Sequence, residues 1–227
     1  MKTMKTLIFG LTISLGAVLL TSCSDDPNPL ANIKLQATTT STGTSTQTGR
    51  VSGTNDLAFT SGFITIREVV FDADNNDGTS VSRTIEQIAV IDYATGVISP
   101  EVVVTVPAGI YSSVNLGIEL QDDGSAPSMV LEGTYTNSND VAIPIRFEFN
   151  SGEVFEADAT TVTLSTDTDV VGKLSWDALD WFSVISASRL DAATQTDGII
   201  IISGTSNADI FSDVADRLDV GTQAVFE

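Results

Sequence analysis

Short runs of alternating hydrophobic and polar residues, separated by polar turns, recur along the chain from residue 31 onwards. In residues 31–37, Ile33, Leu35 and Ala37 fall on one side, which predicts a strand. Residues 62–74 (GFITIREVVFDAD) are rich in β-branched and aromatic residues and also predict a strand. Because hydrophobic residues occupy both parities of this second segment, both of its faces are expected to be buried.

The same alternation predicts further strands between turn signals. They are expected at 82–93, 101–106, 110–120, 128–135, 141–149, 160–165, 170–176 and 198–202. The breaks between them contain Gly, Pro, Asn and Asp, as in residues 107–109 (PAG) and 136–140 (TNSND). A Thr/Ser/Gly tract at residues 38–54 lacks the apolar residues for a core and predicts a long loop or an edge.

The hydrophobic period changes near the C-terminus. Ser175 is predicted to cap a short helix that contains Trp176, Leu179 and Phe182. Asn207 is predicted to cap a last helix, whose apolar side is formed by Ile210, Phe211, Val214 and Leu218. The segments together predict one mainly β domain over residues 31–227, an antiparallel β-sandwich with two short C-terminal helices.

The N-terminal segment has the features of a secretory signal. Lys2 and Lys5 precede an apolar run over residues 7–20, which is shorter than the ~20 residues that a membrane-spanning helix needs. Leu20-Thr21-Ser22-Cys23 then resembles the lipobox of bacterial lipoproteins. That resemblance implies lipid on Cys23, a signal peptide of residues 1–22 and a lipidated tether of residues 23–30. The alternative is an ordinary buried thiol that follows an apolar leader.

The residues after Cys23 indicate which membrane holds the protein and which side of that membrane the protein faces. Ser24 stands where an Asp would retain a lipoprotein in the inner membrane, so the outer membrane is favoured. Ser24-Asp25-Asp26 resembles the acidic export signal of surface lipoproteins in Bacteroidota, which implies a surface-exposed rather than a periplasm-facing protein. The alternative is a short solvated acidic spacer.

The order of the predicted strands also resembles a domain of unknown function found in lipoproteins of Bacteroidota. The resemblance is carried by FITIREVVF (63–71), IEQIAVID (85–92) and VPAGIYSSVNLGIEL (106–120), and it extends over residues 31–175. That family is similar to transthyretin-like or prealbumin-like sandwiches, and an Ig-like sandwich fits the same segments. The C-terminal part departs from the family, and no established catalytic residues are carried over.

Composition excludes several classes of chemistry. The 30 acidic and 10 basic residues give a net charge of −20, which disfavours binding to nucleic acid or to anionic headgroups. Without histidine, the chain has no Ser-His-Asp or Cys-His catalysis and no His-ligated metal. With Cys23 assigned to lipid, disulfides and thiol nucleophiles are excluded too.

Residues 72–78 (DADNNDG) are the candidate metal site. Asp72, Asp74, Asn76 and Asp77 place several oxygens on a short loop, which suits calcium. The twelfth position from Asp72 is Arg83 and not Glu, so the loop is not an EF-hand. A polar turn that closes two strands is the favoured interpretation. No cofactor is expected other than a structural calcium ion at this loop.

Two further groups could bind or act on glycans. Trp176, Trp181 and Phe182 could form an aromatic platform, with Trp181 expected to be the more exposed tryptophan, although a helix packed on a sheet is favoured. Carboxylate pairs such as Asp122/Asp123 and Asp167/Asp169 could suggest glycoside hydrolysis, but 30 acids produce such pairs by chance.

These observations favour a non-catalytic lipoprotein that binds or assembles at the outer membrane through its lipid, with a protein or a glycan as partner. An adhesin-like or pilin-like subunit is one version of this hypothesis. The alternatives are a small carboxylate-dependent, glycan-active enzyme and a periplasm-facing structural lipoprotein.

Overall fold

The computed structural model describes residues 29–39, 49–50, 56–218 and 222–226 of the 227-residue chain. These residues form two β-sheets and three short helices, which confirms the prediction of a mainly β fold with short helices. The strands are β1 (Leu30–Thr39), β2 (Gly49–Arg50), β3 (Asp56–Asn75), β4 (Ser80–Asp92), β5 (Ile98–Ser99), β6 (Val103–Pro107), β7 (Gly109–Leu120), β8 (Met129–Thr136), β9 (Ala142–Phe149), β10 (Val154–Ala159), β11 (Val162–Leu164), β12 (Val170–Trp176), β13 (Gln195–Thr196), β14 (Ile199–Ile202) and β15 (Thr222–Phe226). The helices are α1 (Ala178–Trp181), α2 (Ala187–Asp191) and α3 (Ala208–Ala215), and a 3₁₀ turn at Phe182–Val184 follows α1.

The smaller sheet has the strand order β15-β12-β1-β6. The larger sheet runs β10-β7-β3-β8-β9-β14-β13, with β11 beside β7, β2 and β4 beside β3, and β5 beside β4. Most neighbours are antiparallel, as expected, but β1 pairs with β12 and β9 with β14 in parallel. In both parallel pairs a long stretch of chain connects the two strands, which a parallel connection requires.

Strand β3 organises the larger sheet. It pairs with β4 along one edge, and along the other with β8 through Leu57–Ile64 and with β7 through Ile66–Asn75. The register shifts between Phe59 and Ser61 and again between Ile66 and Glu68. At the first shift Gly62 has φ +136, and a Cβ there would lie 2.0 Å from the carbonyl oxygen of Val130, so the strands meet closely only because this residue is glycine.

The two register shifts explain the mixed parity of the hydrophobic residues in β3. The buried side chains are Leu57 and Phe59, then Ile64 and Ile66, then Val69, Phe71 and Ala73. Each shift exchanges the parity of the inward residues, as a β-bulge does. The expectation that both faces are buried is therefore wrong. One face of β3 is buried throughout, and its side chains come from odd-numbered residues, then from even-numbered ones after the first bulge, and from odd-numbered ones again after the second.

The smaller sheet packs on the larger one to form a sandwich with one core. The rings of Phe155 on β10 and Trp176 on β12 meet edge to face with centroids 4.7 Å apart. Gly172 on β12 allows close approach of the sheets, since a Cβ there would lie 3.3 Å from the side chain of Leu116 on β7. Tight interdigitation of this kind brings interiors to the packing density of organic crystals.

The helices differ in detail from the sequence prediction. Ser175 lies inside β12 and caps no helix; Asp177 caps α1, its Oδ1 accepting from the backbone N–H groups of Leu179 and Asp180, both at 3.1 Å. Helix α2 was not predicted, because its five residues are too short to show a helical period. Helix α3 is confirmed, with its apolar residues facing the core.

Asn207 precedes α3 but does not cap it through its side chain. Its backbone is left-handed (φ 49), and its amide group instead bonds the backbone N–H of Thr194 at 2.8 Å and the carbonyls of Thr194 and Ile201 at 3.0 and 2.7 Å. Asn207 therefore occupies the predicted cap position, but its side chain makes no cap hydrogen bond and instead links Thr194 and β14 to the start of α3.

The strand registers define two ends of the sandwich. Leu30 pairs with Pro107, Leu164 with Gly109 and Tyr111 with Asn75, so the first residue of β1 lies at the same end as the turns at 76–79, 107–109 and 165–169, which we call the hairpin end. The last residues of β1 and β12 and the three helices lie towards the other end, which we call the helical end.

Candidate functional site

The polar loop at residues 72–78 closes the hairpin between β3 and β4. The backbone N–H of Asn75 donates to Thr79 O at 2.7 Å, and Gly78 with φ +84 completes the turn. Asp77 Oδ1 accepts from the backbone N–H and hydroxyl of Thr79 at 2.9 and 2.6 Å, which lowers the pKa of the Asp77 carboxyl. This is the arrangement of a polar turn, the favoured interpretation of the sequence.

A shallow depression of about 460 Å³ lies between this hairpin and the turn that joins β6 to β7. Its walls are residues 75–77 and Thr79 on one side and residues 107–111 on the other. The Tyr111 hydroxyl donates to Pro107 O at 2.6 Å and closes that turn, and burial raises the pKa of the Tyr111 phenol. The Asn/Asp loop and the Pro-Ala-Gly-x-Tyr turn, which are distant in sequence, therefore form one surface at the hairpin end.

The four residues proposed for calcium do not converge on one point. Asp72 and Asp74 are exposed on the outer side of β3, where Asp74 Oδ1 accepts from the Ser80 hydroxyl at 2.7 Å, while Asn76 and Asp77 lie in the turn. Over residues 29–39, 49–50, 56–218 and 222–226, no three acidic, histidine or cysteine side chains are arranged to hold a metal ion. Calcium binding here stays a prediction that requires the loop to rearrange.

Trp181 does not form an exposed platform. Its side chain is 0% exposed, and its ring meets that of Trp176 at 90° with centroids 6.4 Å apart. Phe182 is buried as well and packs against Phe59 and Phe147. The expectation that Trp181 is the exposed tryptophan is wrong, because α1 is short and both its buried side chains face the sheet. The favoured interpretation, a helix packed on the sheet, is confirmed.

The carboxylate pairs lie at the surface beside cations or hydroxyls. Asp122 contacts Arg67 at 3.4 Å, and Asp169 contacts Lys34 at 2.7 Å, a hydrogen bond that lowers the pKa of the Asp169 carboxyl. Four carboxyls have a pKa that is clearly shifted downward, namely Asp77, Asp169, Asp191 and Asp209. A glycosidase acid needs a raised pKa, so these four carboxyls are unsuited to that role.

A polar network at the helical end was not foreseen from the sequence. The buried Tyr135 on β8 donates to Asp191 Oδ1 at 2.7 Å, and the backbone N–H of Ser138 donates to the same oxygen at 3.3 Å. Arg189 pairs with Asp209 at 3.2 Å and also with Asp213, so α2 is tied both to β8 and to α3. No local signal reveals these contacts, since Tyr135 and Asp191 are 56 residues apart.

The lipidation candidate Cys23 lies outside the described residues. The described chain begins at Pro29, whose carbonyl accepts from the backbone N–H of Ala108 at 2.6 Å and so sits at the hairpin end. The helices found in the described segments are all too short to span a bilayer.

Comparison with known proteins adds no assignment: no family model, no curated protein and no solved structure matches this chain.

Proposed function

We propose that the protein is a lipid-anchored, non-catalytic binding or assembly module of the outer membrane, displayed on the cell surface. Lipid on Cys23 anchors the protein, and its partner is a protein or a glycan outside the membrane. The leader and the lipobox support export and lipid anchoring at the outer membrane, and the acidic Ser24-Asp25-Asp26 supports display on the cell surface.

One structural observation supports this proposal most directly: β1 begins at the hairpin end, only seven residues after Cys23. Seven steps of extended chain span at most about 25 Å. This span is shorter than the sandwich, since the 13 residues of β4 alone extend over about 43 Å at roughly 3.3 Å per residue. A lipid on Cys23 would therefore hold the hairpin end near the membrane and leave the helical end free to meet a partner.

The test is protease shaving of intact cells, followed by a blot for this chain and for a periplasmic control protein. We expect the protein to be degraded while the control survives, and we expect Cys23→Ala to remove it from the membrane fraction. If the protein survives until the envelope is opened, surface display is wrong. If Cys23→Ala leaves it in the membrane fraction, the lipid anchor is wrong.

A further inference from the structure

The outer side of β3 and β4 carries an apolar stripe that no described residue covers fully. Ile88 and Val90 on β4 are 53% and 39% exposed, and Phe63 on β3 is 36% exposed. They share one face because Ile64, Ile66, Ala89 and Ile91, which alternate with them, point into the core. Val90 is paired with Thr65, so it lies diagonally beside Phe63, within reach of an aromatic ring.

A row of three carboxylates crosses the same face next to the stripe. Glu68 on β3 lies opposite Glu86 on β4 and, on its other side, opposite Glu119 on β7. Like charges directly opposite on neighbouring strands are destabilising. Arg67 pairs with Glu119 at 2.8 Å, whereas Glu68 and Glu86 have no cationic partner within the described segments.

The register shift at Arg67 places the stripe and the carboxylate row on one face. In β3 the outward side chains are Phe63 and Thr65 before the shift and Glu68, Val70, Asp72 and Asp74 after it. An uninterrupted strand would have sent Glu68 to the same side as the buried Ile64 and Ile66. The bulge therefore joins an apolar surface to an acidic one, at the part of β3 that lies towards the helical end.

We propose that this face of β3 and β4, formed by Phe63, Glu68, Glu86, Ile88 and Val90, binds an extended polypeptide segment that carries both Lys or Arg and aliphatic residues on one of its sides, at every second position. Aliphatic side chains of the partner cover Ile88 and Val90, and its cations neutralise Glu68 and Glu86. Charge complementarity selects this occupant, since a second copy of the chain brings the same carboxylates and an anionic surface is repelled. The proposal specifies the partner for the binding role above and does not depend on the lipid anchor.

The test uses the mature chain without lipid, residues 23–227, which retains every residue that the structure describes. The probe is a fluorescent decapeptide, called the Lys–Val peptide, with Ser at every second position and with Lys and Val taking turns at the positions between, so that both lie on one side of the extended chain. Its anisotropy is measured as the protein is titrated. A Lys–Ser decapeptide tests the apolar requirement, and a Glu–Val decapeptide tests the charge requirement. We expect the Lys–Val peptide to bind, the Lys–Ser peptide to bind about tenfold more weakly, and the Glu–Val peptide not to bind.

Two double variants and two controls locate the binding. We expect Ile88→Ser with Val90→Ser, and separately Glu68→Gln with Glu86→Gln, each to raise the Kd for the Lys–Val peptide by about tenfold. Val184→Ser removes a 48% exposed valine at the helical end, and Asp167→Asn with Asp216→Asn removes the same charge elsewhere; both should leave the Kd within about twofold.

Three results would overturn the proposal. The first is failure of the Lys–Val peptide to bind the folded chain. The second is an equal loss of affinity in both charge-removing doubles, which would show unspecific attraction to the acidic protein. The third is self-association in sedimentation that Ile88→Ser with Val90→Ser abolishes, which would make a second copy the occupant. Because the lipid-free chain is used, a failure here leaves the anchoring proposal untouched.

Discussion

Replacing Tyr135 by Phe tests whether the network around Asp191 stabilises the helical end. Tyr135 is fully buried, and its hydroxyl bonds Asp191 Oδ1 at 2.7 Å, so the change removes a hydrogen bond to a charged acceptor. Such bonds contribute about 1.5–3 kcal/mol. Because Asp191 is exposed and water can replace the lost donor, we expect the free energy of unfolding to fall by about 1.5 kcal/mol at neutral pH.

The pH dependence distinguishes this hydrogen bond from simple loss of packing. Hydrogen bonds from Ser138 and then from Tyr135 lower the pKa of the Asp191 carboxyl in the folded chain. A lowered folded pKa stabilises the protein above the unfolded carboxyl pKa, and this stabilisation is lost as the pH falls through the folded value. The deficit of Tyr135→Phe should therefore shrink between neutral pH and about pH 2.5.

Tyr111→Phe is the matched control. Tyr111 is also fully buried, but its hydroxyl donates to a neutral acceptor, Pro107 O, at 2.6 Å. Its loss should cost about 1 kcal/mol and should not change over the same acid range. Urea unfolding of the wild type and both variants at the two pH values gives the comparison. A Tyr135→Phe deficit that is equal at both pH values, or a Tyr111→Phe deficit that shrinks like it, would refute the role assigned to Asp191.

Two further predictions concern the turn that follows β3 and Gly62 within β3. If residues 72–78 bind calcium, millimolar calcium will raise the melting temperature of the wild type. Asp74→Ala will abolish this rise, whereas Asp123→Ala, in a different acidic loop, will preserve it. Absence of the rise in the wild type would show that the loop does not bind calcium. Gly62→Ala should destabilise the protein by about 3 kcal/mol or more, since its φ of +136 is a region that only glycine adopts readily and its Cβ would clash with Val130 O. Gly78→Ala, where φ is +84 and nothing lies within 4 Å, should cost only about 1 kcal/mol, and equal costs in thermal unfolding would contradict the steric argument.

The distribution of charge over the molecule is consistent with a binding module whose partner is a cationic segment. Lys34 and Arg67 lie beside Asp169 and Glu119, so cations partly neutralise the acids at these positions. Glu68 and Glu86 lie opposite each other in the carboxylate row that contains Glu119, beside the apolar stripe of β3 and β4. This face combines a destabilising charge row with exposed apolar area, and a bound cationic segment would relieve both costs.

The amino-acid sequence by itself determined the features that depend on local chemistry. Alternating apolar residues predicted the strands, and Asn, Asp and Gly predicted the hairpin at 72–78, because pleat and turn geometry are set within a few residues. The apolar period of α3 was visible for the same reason. The two turns that form the surface at the hairpin end, at 72–78 and 107–109, were both predicted in this way, but their position side by side was not.

Only the tertiary structure decided the features that depend on residues far apart in the chain. The bulge at Arg67 follows from the register of β3 with β4 and β7, and neither parity nor composition reveals which of two apolar faces turns inward. The burial of Trp181 depends on packing against Trp176 and the sheet, and Asp191 finds Tyr135 across 56 residues. Local propensity carries no information about such pairings, because their free energy arises only when the two sheets and the helices meet in one core.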